Sequence, residues 1–119
     1  MEKIKNFKQL KIWQKGIEIV KGIYLLTKVF PRDELYGLTS QMRRCAISIP
    51  SNVAEGFKRF HSREYKQFLH IALGSAAELE TQLIIAQELS FIGASELNPQ
   101  LENLDHLSRM ISSLLTKLG

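Results

Sequence analysis

Residues 38–59 read Leu38-Thr-Ser-Gln-Met42-Arg-Arg-Cys45-Ala-Ile-Ser-Ile49-Pro50-Ser-Asn-Val53-Ala-Glu-Gly56-Phe-Lys-Arg59. Leu38, Met42, Cys45, Ile49 and Val53 recur at spacings of 4, 3, 4 and 4, the seam of a helix buried along one stripe. Pro50 falls inside that seam. A mid-helix proline removes one backbone hydrogen bond and crowds the preceding turn. The apolar period nevertheless continues past it, so the stretch is expected to form one helix with a kink, in which Ser48 or Asn52 satisfies polar groups freed nearby. Gly56 weakens its last turn.

Working outward, the same period recurs on both sides. Upstream, Leu10, Trp13, Ile17, Val20 and Tyr24 give a seam for a first helix over about Lys8 to Lys28, closed by Pro31. The stretch from Pro31 to Gly37 reads as a connecting turn. Downstream, Ser62 reads as an N-cap, with Glu64 in the first turn of a long third helix. Its seam is Tyr65, Phe68, Leu69, Ala72, Ala76, Leu79, Leu83 and Ala86, and Gly93 reads as its stop. Asn98-Pro99 reads as the N-cap and first position of a fourth helix, with a stripe from Leu101 through Leu104, Leu107 and Ile111 to Leu118. Short connections between four such helices favour antiparallel neighbours. The expected fold is an all-α, antiparallel up-down-up-down four-helix bundle, one domain over residues 1–119.

Composition narrows the function classes. The 119 residues are 45% hydrophobic and 24% charged, ordinary for a globular chain. A single cysteine, Cys45, excludes an internal disulfide and suits a reducing compartment. The charged N-terminus lacks a signal-peptide pattern, and no apolar run is long enough to span a bilayer, so a cytoplasmic protein is expected. The net charge is +4. Residues 1–28 hold seven lysines against two glutamates, whereas residues 67–119 hold six acids against Arg109 and Lys117. A basic half and an acidic half suit an anionic partner, and suit head-to-tail self-association equally well.

No reacting constellation is legible, and an enzyme is not expected. There is no Glu-x-x-His pair for a bundle metal site. His61-Ser-Arg-Glu64 reverses it at a helix start, so no metal or other cofactor is expected. Cys45 lies on an apolar seam, where a small buried thiol is the common explanation. His61, His70 and His106 share no motif with it. Gly74 reads as a close helix–helix contact.

Two basic clusters stand out instead. Lys58, Arg59, His61, Arg63 and Lys66 are interleaved with Phe60 and Tyr65 at the junction of the second and third helices. Such cations can neutralise phosphates while aromatic faces stack on unpaired bases. Packing aromatics beside solvated cations fits the same residues. Lys8, Lys11 and Lys15 are expected to share one face of the first helix and to extend the patch if that helix lies alongside. A solvated lysine face fits them as well.

Some apolar residues fall off the seams. Ile71, Leu73, Ile84 and Ile85 do so on the third helix, as do Ile12, Ile19 and Leu26 on the first. They fit either a broad core stripe or a second buried face in a homo-oligomer. Arg44, Ser48, Ser51 and Glu55 run along a stripe opposite the second helix's seam. If that face meets a neighbouring subunit, Arg44 and Glu55 are placed for interface ion pairs; if it faces solvent they carry little.

Three runs, Gly37-Leu-Thr-Ser-Gln-Met-Arg-Arg-Cys-Ala46, Ser48-Ile-Pro-Ser-Asn-Val-Ala-Glu-Gly56 and Ala72-Leu-Gly-Ser-Ala-Ala-Glu-Leu-Glu80, resemble the four-helix bundle proteins of the 23S rRNA intervening-sequence family. Leu10-Lys-Ile-Trp-Gln-Lys15 and Phe30-Pro31 fit too, so the resemblance covers nearly the whole chain. Cys45 departs from the Ala more usual there. The resemblance implies the bundle fold. Some members are encoded inside intervening sequences of bacterial 23S rRNA genes and were labelled ribosomal proteins on that account. A related branch, the accessory variability determinants of diversity-generating retroelements, is similar in fold, forms basic barrel-like pentamers and binds nucleic acid and a reverse transcriptase. The leading expectation is a ring-like homo-oligomer, pentameric by resemblance, that binds structured RNA through basic side chains. The alternative is a protein–protein scaffold.

Overall fold

The computed structural model describes residues 3–59 and 61–119. Among them are four α-helices: α1 (Lys11–Thr27), α2 (Leu38–Phe57), α3 (Ser62–Glu88) and α4 (Ala94–Leu118). Short 3-10 turns precede α1 (Phe7–Gln9) and α2 (Arg32–Glu34). The molecule measures 45 × 24 × 21 Å, the length of one helix and the width of two.

Neighbours run antiparallel all the way round. Early α1 meets late α2 at Gly16 and Pro50, while late α1 meets early α2 where Arg43 Nε donates to Thr27 Oγ1 at 2.9 Å. Cys45 and Ser48 both reach Ser75, and Gly56 meets Phe68, which sets α2 against α3. Lys66 at the start of α3 donates to the Gly119 carbonyl beyond the end of α4. Lys15 and Gly22 of α1 meet Asn103 and Gln100 of α4. The helices therefore run up, down, up and down around one core, which includes Ile19, Ile23, Met42, Ile49, Leu79 and Leu107.

Helix α2 is continuous through Pro50, as its apolar period requires. Contrary to expectation, neither polar neighbour reaches the Ala46 carbonyl that loses its partner to the proline: Ser48 Oγ donates to the Cys45 carbonyl at 2.6 Å and Asn52 Nδ2 to the Ser48 carbonyl at 2.7 Å. Ser48 Oγ also lies 2.7 Å from Ser75 Oγ. Ser48 thus sits in the α2–α3 interface, not on an outer stripe with Arg44, Ser51 and Glu55. Glu34 replaces a side-chain N-cap, its Oε1 accepting the Leu38 N–H at 3.0 Å.

The seam of α1 is rotated from the expected one. Ile12, Gly16, Ile19, Ile23 and Thr27 are buried, whereas Trp13, Ile17 and Val20 flank them and Tyr24 is exposed. Gly16 causes the rotation: a Cβ there would stand 3.1 Å from the Pro50 Cβ, so the bare backbone lets α1 settle on the proline ring. Ile12 and Ile19 are therefore core rather than surplus surface. The helix also starts at Lys11, not Lys8, because Asn6 and Gln9 cap the preceding 3-10 turn reciprocally.

The α3–α4 junction differs as well. His61 occupies the N-cap position of α3, and Ser62 is its first helical residue. Helix α3 stops at Glu88 without using Gly93. Ser90 takes the left-handed conformation at φ 64°, and the Phe91 N–H returns to the Ala86 carbonyl at 2.8 Å, the Schellman arrangement. Phe91 then packs on Phe30, with ring centroids 5.4 Å apart. Gly93 instead caps α4, its N–H donating to Glu96 Oε1 at 2.6 Å. Asn98 and Pro99 consequently lie inside α4 rather than at its start. Gly74, expected at a helix contact, has nothing within 4 Å of a Cβ built on it and faces solvent.

Two stability measurements check this packing. A Cβ on Gly56 would lie 2.8 Å from the Phe68 Cβ and 3.2 Å from the Tyr65 carbonyl oxygen. Gly56→Ala should therefore cost about 1–3 kcal/mol in denaturant unfolding despite its better helix propensity. Ser90→Gly should instead stabilise by roughly 1 kcal/mol, because glycine carries no penalty for positive φ. Equal midpoints for wild type and either variant would contradict the corresponding contact.

Candidate nucleic-acid interface

The antiparallel topology brings the start of α1, the end of α2, the start of α3 and the end of α4 to one pole. Helix α2 closes with the Lys58 N–H on the Ala54 carbonyl and the Arg59 N–H on the Gly56 carbonyl. The chain then extends through His61, at φ −113° and ψ 130°, into α3. This tight connection sets Lys58, Arg59, His61, Arg63 and Lys66 around one corner. The 3-10 turn before α1 reaches the same corner, where Lys58 Nζ lies 5.9 Å from the Phe7 ring centroid and Phe7 packs on Trp13 at 5.5 Å.

The predicted residues divide by what holds them. Lys58, His61 and Arg63 are exposed. Arg59 lies over the Phe68 ring at 4.9 Å and 3.9 Å from Glu55, in a pair that is about half exposed on both sides. Such a pair restrains the guanidinium without neutralising the pole. Lys66 is partly buried and tied at 2.8 Å to the Gly119 carbonyl. Lys8 is exposed on the 3-10 turn and joins the pole through its neighbour Phe7.

Lys11, the first residue of α1, stands at this end on the α4 side, and Lys15, a turn further on, is turned toward α4 as well. Lys11 lines the α1–α4 groove beside Arg109 and Ser113. Lys15 is held by Asn103 Oδ1 at 2.9 Å and Glu18 at 3.4 Å, with a side chain only 17% exposed. The three lysines share no common face, since Lys8 precedes α1. Lys117, in the last turn of α4, also stands at the pole, and the exposed Lys5 adjoins it through its N–H bond to Gln9. Only the helix topology could have found Lys117, which stands in the acidic half of the sequence.

The aromatics at this corner are mostly committed to packing. Phe57 and Tyr65 meet edge to face at 6.2 Å, Tyr65 also lies against Gly56, and burial raises the Tyr65 phenol above its ordinary pKa. His61 keeps an exposed ring. Phe60 lies outside the described residues. What this corner presents outward is therefore charge more than free aromatic surface.

Cys45 is buried, and its Sγ lies 3.0 Å from the Ser75 carbonyl. Burial, helped by Glu78, pushes its pKa to about 11, so the thiol stays neutral at physiological pH. No group of three His, Cys, Asp or Glu side chains able to hold a metal occurs among the described residues. No helix there is long and apolar enough to cross a membrane.

The residues called for self-association are outside the core. Arg44 and Glu55 are exposed on α2, and Ile71, Ile84 and Ile85 are 51%, 40% and 43% exposed on α3. Ile71 and Ile85, two heptads apart, share one stripe, whereas Ile84 points to the α4 side.

A crystal structure of a protein of unknown function from the S23 ribosomal protein family of Bacteroides thetaiotaomicron superposes with a TM-score of 0.79 at 19% identity, covering 88% of this chain and 95% of that one. That likeness shows the fold. Curated protein sequences give no match. The family model described as 23S rRNA-intervening sequence protein matches residues 8–113, nearly the whole bundle, and the chain belongs to that family.

Proposed function

We propose that this protein is a cytoplasmic, non-enzymatic homo-oligomer that binds structured RNA through the basic pole of its bundle. One observation carries the reading. Exposed cations from separate parts of the chain, Lys8, Lys58 and Arg63, meet at one end, with Arg59 beside them and, among the described residues, Glu55 and Glu64 as the nearby acids. Such a concentration raises the local density of polyanions and releases their counterions on contact. The family name, with its reference to 23S rRNA, favours RNA over other polyanions. The buried, neutral Cys45 suits packing rather than nucleophilic chemistry.

The binding is one of charge and shape, since the corner offers cations and few free rings. A homo-oligomer multiplies it, because each copy presents the same pole and avidity rises without any new contact. Titration of a structured RNA at several salt concentrations tests the reading. Lys8→Ala, Lys58→Ala and Arg63→Ala together should weaken binding at least about tenfold and flatten the slope of log K against log salt by about 2. Lys28→Ala with Arg32→Ala, at the opposite pole, should leave both unchanged. Equal losses in the two variants would mean that the pole is not the site. No binding by wild type at low salt would replace the RNA reading with that of a protein–protein scaffold.

A further inference from the structure

Two arginines line an open cleft whose walls hold no acid. The cleft, of about 440 Å³, lies between the end of α1 and the start of α2, at the pole opposite Lys58 and Arg63. That volume falls within the range of small-ligand sites, about 300–1,000 Å³. The walls include Arg43, Arg44, Ser40, Leu35, Tyr36 and Ile47. Glu34, which caps α2, is not one of them, and its Oε1 is occupied by the Leu38 N–H at 3.0 Å. Among the described residues neither arginine makes an ion pair.

The first arginine is held in place. Arg43 lies over the Tyr24 ring at 4.5 Å, and its Nε donates at 2.9 Å to Thr27 Oγ1, which in turn donates to the Ile23 carbonyl at 2.7 Å. These contacts fix the plane of the guanidinium and leave both Nη groups without an acceptor among the described residues. Arg44 stands exposed beside it, one position along α2. Two neighbouring guanidiniums repel, and no carboxylate in the cleft offsets that repulsion. The apolar walls are equally without partners. Leu35, Tyr36 and Ile47 are 48%, 92% and 42% exposed. Among the described residues no ring or cation lies on Tyr36.

We propose that this cleft binds a nucleoside monophosphate group, with the phosphate on Arg43 and Arg44, Ser40 Oγ as a further donor, and the base on the Tyr36 ring. Charge selects the phosphate monoester. At neutral pH such a group carries about −1.5 to −2, which two arginines match. A carboxylate, or an internal phosphodiester of RNA, carries a single charge and leaves one guanidinium unmatched. The planar fork of arginine also takes two phosphate oxygens at once. The free ring and the apolar walls beside it suit a base, which stacks through either face. A free nucleotide and the phosphorylated end of an RNA strand present this same chemistry. The site goes beyond the RNA reading above, since it lies at the other pole and does not depend on Lys8, Lys58 or Arg63.

Calorimetric titration with adenosine 5′-monophosphate tests the assignment. Wild type should bind it at least about tenfold more tightly than adenosine. Arg44→Ala should weaken the nucleotide about tenfold with helical content unchanged, because Arg44 is exposed. Arg43→Lys keeps the charge but loses the fork, and should weaken it too. Tyr36→Ala should weaken the nucleotide at least about fivefold and leave inorganic phosphate unchanged, which separates the ring from the charge. Lys8→Ala, Lys58→Ala and Arg63→Ala together should leave nucleotide binding as in wild type, so this site and the basic pole stand or fall separately. In that triple variant, a short single-stranded RNA with a 5′-phosphate that binds more tightly than the mononucleotide would identify an RNA end as the ligand. Weaker binding of the strand would identify the free nucleotide. Equal affinity for the nucleotide and adenosine, full affinity in Arg44→Ala, or no nucleotide binding at millimolar concentration would each overturn the proposal. Arg44-dependent binding of a triglutamate peptide in the last case would point to an acidic partner protein instead.

Discussion

Helix α2 is gripped on both sides at distances that leave little room for a side chain on one flank and none on the other. On one flank Gly16 of α1 lies against the ring of Pro50, where an added Cβ would stand 3.1 Å away. On the other, Gly56 faces Phe68 and Tyr65 of α3 still more closely. These two approaches fix the rotation and the height of α1 and α3 relative to α2. The large core side chains then fill what remains. Proline, usually a defect in a helix interior, here supplies a rigid buried surface at the position where its lost hydrogen bond coincides with tight packing.

That constraint also separates what the sequence disclosed from what it hid. The helix count, the continuity of α2 and the seams of α2 and α3 were legible because periodicity reports burial directly. The seam of α1 was not, since its apolar residues wrap more than half the helix and only Gly16, which hydropathy ignores, marks the centre. The junction before α4 misled for a related reason. Gly93 and Asn98-Pro99 each carry a strong local signal, but Ser90 accepted a conformation that usually falls to glycine and Glu96 capped the next helix a turn early. Gly74 inverted its expected role because a glycine's lack of a side chain says only that something can approach, not that a helix of the same chain does.

The basic corner was legible in part. Lys58, Arg59, His61 and Arg63 are neighbours in sequence and remain so in space. The halves of opposite charge did not carry over as halves of the molecule, because an antiparallel bundle sorts residues by their height along the axis. Lys117 thereby leaves the acidic segment for the basic pole, and Lys15 leaves the lysine row for a bond with Asn103. Neither move can be read without knowing which helices touch.

Crowding cations at one pole carries a cost in self-repulsion, and the structure shows how it is moderated. Lys58 rests near Phe7 and Arg59 over Phe68, so part of each charge faces an aromatic ring. Lys58 and Lys117 also sit at the C-terminal ends of α2 and α4, where the helix dipoles favour cations. These contacts hold the charges in place but leave them unneutralised. An anion at this pole would relieve the remaining repulsion.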